Sequence, residues 1–240
     1  MFWNEDRIKW YLVASEYTKY HDNMTLEIKK IIPKGESLID FGCGLGILPM
    51  KLSDYFSDII GVDYDEQVLE LLEKNISKNN IKNFKTIWSD CYNGELIEKI
   101  GKKDNILFSH FGNIEDYFYN FFDLFTKRMI IIRNDVEKSI VHNPNKNTIQ
   151  DICKFLDDRK VTYKIYKQTF EFGQPLKDDK EVMKYLNKWY GEKGINLISN
   201  IKDIDYDYNG QKFTKFYCKP KNTAIVVVEK EEIWKNLKEF

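Results

Sequence analysis

Residues 37–46 read Ser-Leu-Ile-Asp-Phe-Gly-Cys-Gly-Leu-Gly, so three of the chain's 12 glycines, Gly42, Gly44 and Gly46, occupy alternate positions just after Asp40. An apolar run that enters such a turn and leaves as a helix lets the backbone take positive φ and approach a ligand closely. The helix start adds unsatisfied N–H groups. Ile47 stands where a dinucleotide turn wants its third glycine, and no Gly-Lys-Ser/Thr follows to complete a phosphate loop. Further along, Asp63, Asp90 and the pair Ser109–His110 each close or follow a short apolar run. A carboxylate in such a place can accept two ligand donors at once. His110 is one of 3 histidines; an imidazole titrating near neutrality can serve as a general base, and a satisfied structural histidine is the bland alternative.

The elements that must position these residues alternate. Strands are expected at SLIDFG, DIIGVDY, FKTIWSD, NILFSHF, RMIIIRNDV and VTYKIYKQTFEF. Helices are expected between them, the clearest in DEQVLELLEKNISKNN, where Val68, Leu71, Leu72 and Ile76 form one stripe. Pro49 is tolerable only in the first turn of its helix. IEDYFYNFFDLF reads as one helix. This alternation means βαβ units and a doubly wound, mainly parallel sheet. Ahead of it, residues 4–31 read as two helices with a break near His21–Asn23. After it come a helix at 178–191, an Asn209–Gly210 turn with strand-like flanks, and a last strand, TAIVVVEK, followed by a short helix.

Lys and Arg (37) nearly cancel Asp and Glu (38), and no block of five like charges appears, so nothing demands a basic nucleic-acid face. The four cysteines, Cys43, Cys91, Cys153 and Cys218, lie far apart with no CxxC, which argues against structural zinc and for reduced thiols in a cytoplasmic protein. No metal site is expected. No segment approaches the ~18–20 apolar residues of a membrane span, and the N-terminus lacks the pattern of a signal peptide.

LIDFGCGLGILPMKL resembles the first motif of class I S-adenosylmethionine-dependent methyltransferases: an acid, one residue, then G-x-G-x-G. The resemblance continues over residues 35–136, through Asp63 in IIGVDYDEQVLE, Asp90 in TIWSDCY and the fourth strand, NILFSHFGNI. It implies a Rossmann-like α/β fold with a seven-stranded, mostly parallel sheet and an antiparallel last strand. Residues 1–240 are expected as a single domain: a helical cap (1–34), a cofactor core (35–172), a substrate-side insertion (173–221), and the last strand with its helix (222–240). The cofactor implied is S-adenosyl-L-methionine. The glycine turn with Cys43 would pass under its methionine part, supported by Asp40. Asp63 would accept the ribose hydroxyls, Tyr64 lie against the adenine, and Asp90 accept the adenine amino group with Cys91 beside it. A helix N-cap is the competing reading of Asp90. Ser109 and His110 would face the crevice. Tyr17 or Tyr20 could line the site from a lid. The aromatics of the insertion, Trp189 to Tyr217, suit a substrate pocket or a satellite core equally.

The expected activity is methyl transfer to a small molecule, with nucleic acid an unlikely partner. The reasons are the neutral charge and the segment Ser109-His110-Phe111-Gly112-Asn113 where methylases of DNA adenine or glutamine carry Asn/Asp-Pro-Pro-aromatic. The alternatives are a nucleic-acid or protein methyltransferase, or a non-catalytic S-adenosylmethionine-binding module. A monomer or homodimer is expected.

Overall fold

The computed structural model describes residues 3–136 and 147–237. His142 lies outside them. The chain forms two compact units, one of residues 24–168 with 222–240 and the other of residues 1–23 with 169–221.

The larger unit is built on a seven-stranded sheet. Its strands are β1 (Ser37–Phe41), β2 (Asp58–Asp63), β3 (Phe84–Trp88), β4 (Lys103–Ser109), β5 (Phe125–Asn134), β6 (Lys164–Glu171) and β10 (Pro220–Glu229), in the order β3-β2-β1-β4-β5-β10-β6. β1 runs parallel to β2 and β4, β2 to β3, and β4 to β5, while β10 is antiparallel to β5. The central strands are apolar on both faces, with Ile39, Phe41, Val62, Ile106, Phe108 and Ile131 all fully buried, as a sheet covered by helices on both sides requires. The strand order reverses between β1 and β4, which opens a ligand crevice beyond their carboxyl ends.

The helices follow the sequence closely. α3 (Ile47–Lys51) holds Pro49 as its third residue, where the missing N–H is one the helix leaves unbonded. α4 (Glu66–Lys78) buries Val68, Leu69 and Leu72. The aromatic run 114–125 is not one helix. It is α6 (Ile114–Tyr117), a turn, and a short 3-10 helix (Phe122–Leu124). The Asn120 amide side chain bonds the Asp116 carbonyl and so takes the acceptor that its own backbone N–H would use in a helix. α5 (Gly94–Ile100), α7 (Ile149–Asp158) and α9 (Lys230–Leu237) complete this unit.

The smaller unit joins α1 (Glu5–Thr18) to a three-stranded sheet, β7 (Gln174–Leu176), β9 (Gln211–Tyr217) and β8 (Ile201–Tyr208), with α8 (Asp179–Tyr190) and a 3-10 helix (Gly191–Asn200). The break between α1 and α2 (Tyr20–Ile31) falls at Lys19, where φ is 55°. His21 is therefore helical, its ring buried between the Tyr11 hydroxyl (2.9 Å) and the Ser15 hydroxyl (2.6 Å). Tyr17 packs on Tyr206 and Phe216, and Tyr20 on Phe172. Phe213, Phe216 and Tyr217 are buried, so these three aromatics serve a satellite core.

Candidate cofactor site

β1 delivers the chain into the glycine turn. Gly42, Gly44 and Gly46 all have positive φ, at 68°, 52° and 60°. Space is short as well. A Cβ at Gly42 would stand 2.4 Å from Cδ2 of Phe111, and one at Gly46 would stand 2.5 Å from a Leu72 methyl. The N–H groups of Gly42 and Cys43 both donate to the Val62 carbonyl (2.8 and 3.1 Å), which ties the turn to β2.

Asp63 ends β2 and meets the turn directly. Its Oδ2 accepts the Gly44 N–H at 2.8 Å and its Oδ1 the Asp65 N–H at 3.0 Å. A carboxylate has roughly four acceptor positions, so about two stay open for a ligand. Burial pushes the Asp63 carboxyl up, and the N–H groups of Asp65 and Gly44 only partly offset it. Asp40, the penultimate residue of β1, is driven well above the ordinary range, first by burial and then by the charge of Asp63. Oδ1 of Asp40 and both carboxylate oxygens of Asp65 are buried without a donor. Burial also pushes the Cys43 and Cys91 thiols up, Cys91 to about 12, so both stay neutral.

The remaining residues lie along the same edge of the sheet. Tyr64 follows β2 and is 66% exposed; its carbonyl accepts the indole N–H of the equally exposed Trp88 at 3.0 Å. Asp90 is exposed two residues beyond β3, and its Oδ1 accepts the Tyr92 N–H at 3.0 Å. This is a local turn four residues before the helix Gly94–Ile100, so Asp90 does not cap that helix, and its Oδ2 is left for another donor. Ser109 ends β4. His110 follows with φ at 56°, an uncommon conformation for a residue with a side chain. Residues that sequence reasoning missed are Phe111, Tyr92, Asp65 and Arg133. Tyr92 stacks on Phe121 at 5.4 Å and Phe111 on Phe108 at 5.7 Å, so aromatic rings floor this side of the crevice. The second arginine of RMIIIRN, which closes the apolar run, was the available signal for Arg133. Among the described residues no cluster of His, Cys, Asp and Glu could hold a metal ion, and no helix is long and apolar enough to cross a membrane.

Sheet order, glycine turn and the acids ending β2 and following β3 together define a class I S-adenosylmethionine-dependent methyltransferase with a Rossmann-like fold. The chain belongs to the family described as methyltransferase domain, whose model matches residues 32–213. It is 22% identical over 204 residues to a ribosomal RNA small subunit methyltransferase A of Mycoplasma capricolum, covering 73% of this chain and 76% of that one. It is 38% identical over 64 residues to a ribosomal protein L11 methyltransferase of Thermotoga petrophila, covering 26% of this chain and 24% of that one. The solved structure of the YcgJ protein of Bacillus subtilis has the same fold, with a TM-score of 0.57, 14% identity, and coverage of 88% of this chain and 98% of that chain.

The cofactor is S-adenosyl-L-methionine, and the residues present fit it. Its sulfonium is positively charged, and buried carboxylate oxygens that have no donor of their own, on Asp40 and Asp65, suit such a group.

The relatives overturn the expectation of a small-molecule acceptor with nucleic acid unlikely. Net charge summed over a chain says nothing about a local face. The missing Asn/Asp-Pro-Pro-aromatic segment excludes one way of holding an amino group and leaves others open.

Proposed function

We propose that the chain methylates ribosomal RNA. The observation that carries this reading is the match to a ribosomal RNA small subunit methyltransferase, which covers 73% of this chain and 76% of that one. The exposed aromatics Tyr92 and Trp88 near the carboxyl edge of the sheet suit stacking on a base.

When bound, the cofactor supplies an electrophilic methyl group on a sulfonium for in-line displacement. The residues then have to bind, orient and exclude water. In this reading Asp63 accepts the ribose hydroxyls on its open lone pairs, Asp90 takes the adenine amino group on Oδ2, and Tyr64 covers the ring. Asp40 faces the cationic methionine end beside Gly42, Cys43, Gly44 and Gly46, with Cys91 as a neutral wall. Ser109 and His110 flank the acceptor, and His110 can hold the proton that an oxygen or nitrogen nucleophile sheds. A ribosomal acceptor and four free cysteines fit a cytoplasmic protein.

The test is transfer of a labelled methyl group from S-adenosylmethionine to purified small ribosomal subunits, followed by nuclease or protease digestion. Label that nuclease releases and protease leaves in place supports RNA. Label released by protease alone would move the acceptor to a ribosomal protein. Label in neither, with the cofactor bound, would refute a ribosomal acceptor.

A further inference from the structure

Arg133 is the penultimate residue of β5 and pairs with Ala224 of β10. It is 5% exposed. Its Nη2 donates to the backbone carbonyls of both Phe111 and Gly112. Among the described residues no carboxylate pairs with it, and its Nε has no acceptor. A guanidinium stays charged in a protein, so burying one without a counter-ion is unfavourable unless fixed dipoles satisfy it. The dipoles here belong to the loop that follows β4.

The geometry points to Arg133 as a positioning residue: by gripping the carbonyls of Phe111 and Gly112, it fixes that loop so that the Phe111 ring stands against Gly42 in the cofactor turn. The loop needs such a grip. His110 and Gly112, on either side of Phe111, have φ of 56° and 48°, so the chain makes two left-handed steps around a single ring. A second route links the same two residues. The fully buried Tyr117 ring lies beside the guanidinium and stacks on Phe108 at 4.0 Å, and Phe108 stacks on Phe111 at 5.7 Å. Phe111 in turn fills the space where a Cβ on Gly42 would be. Arg133 thereby acts on the cofactor turn through Phe111 and touches neither reactant. A planar fork is suited to this role, because one nitrogen can serve two carbonyls in a fixed direction.

The inference rests on the assignment of the glycine turn to the cofactor and is independent of the acceptor. The test is a double-mutant cycle on the full chain, titrating S-adenosylmethionine by calorimetry. Arg133→Gln and Phe111→Ala are each expected to weaken binding about tenfold, and the double variant no further than the worse single variant, because coupled residues do not add. Circular dichroism checks that each variant is folded, and a purely structural role would leave the cycle additive. If Arg133→Gln fails to fold, Arg133→Met replaces it in the same cycle, since it keeps an unbranched side chain in the buried site and removes the donors. Wild-type affinity in the Arg133 variant, or additive losses in the double variant, would overturn the proposal. Asp63→Ala, measured alongside, tests the site separately. If it has no effect the site assignment fails, whereas an effect there with none at Arg133 fails only the positioning role.

Discussion

Replacing Gly42 with alanine separates the two constraints on the glycine turn. Alanine at φ 68° carries the left-handed penalty of about 1–2 kcal/mol. Its Cβ would also overlap Phe111 Cδ2 at 2.4 Å, and forcing a group into a packed site costs about 1–3 kcal/mol. The sum is about 2–5 kcal/mol, a large share of the roughly 5–15 kcal/mol that holds a domain together. For a chain of this size that lowers Tm by roughly 5–20 °C. Urea unfolding and calorimetric titration with S-adenosylmethionine are the assays, and affinity should fall with stability because the turn has moved. Made in a Phe111→Ala background, where the overlap is gone, Gly42→Ala should cost only the conformational term relative to Phe111→Ala alone. Gly46→Ala should cost a similar amount to Gly42→Ala in the wild-type chain, because its Cβ would meet both methyls of the fully buried Leu72. A Gly42→Ala protein as stable as wild type, or a Gly42→Ala cost that is undiminished in the Phe111→Ala background, would refute the reasoning.

The raised carboxyl of Asp40 makes stability depend on pH in a definite direction. The folded chain holds its proton above the ordinary value of 3.8, so it binds more protons than the unfolded chain there. Stability therefore falls as pH rises from about 4 through the raised value, and Asp40→Asn should flatten that slope in urea titrations. A cationic cofactor reverses the preference, so its affinity should climb over the same window with proton release, visible as a buffer-dependent heat of binding. Asp63→Ala should weaken cofactor binding by about 1.5–3 kcal/mol, the usual loss for hydrogen bonds to a charged group, measured by the same titration. At the opposite end of the sheet the buried Glu36 accepts from Asn105 (2.8 Å), Lys127 (3.0 Å) and Arg128 (2.7 Å). Burial raises its carboxyl, and these donors more than offset that, so it lies below its ordinary value. Glu36→Ala should lower unfolding free energy by about 2–3 kcal/mol near neutral pH, and the loss should shrink as acid protonates the wild-type group.

The sequence alone determined the sheet and the glycine turn. Strands and helices of the core are set by local periodicity and by glycines whose backbone no other residue adopts easily, and such signals are carried in a few consecutive positions. Asp40, Asp63 and the three glycines could therefore be read before any coordinates. Tertiary structure decided the rest, because it depends on residues far apart in the chain. β7 is three residues long and contains Pro175, too little to register as a pattern. Nothing local says that α1 shares a unit with residues 169–221, or that Tyr17 and Tyr20 pack with that segment's aromatics. Phe111 and Arg133 stand 22 positions apart. Their meeting beside Gly42 follows from the pairing of β4 with β5, which a reading of either strand by itself does not contain.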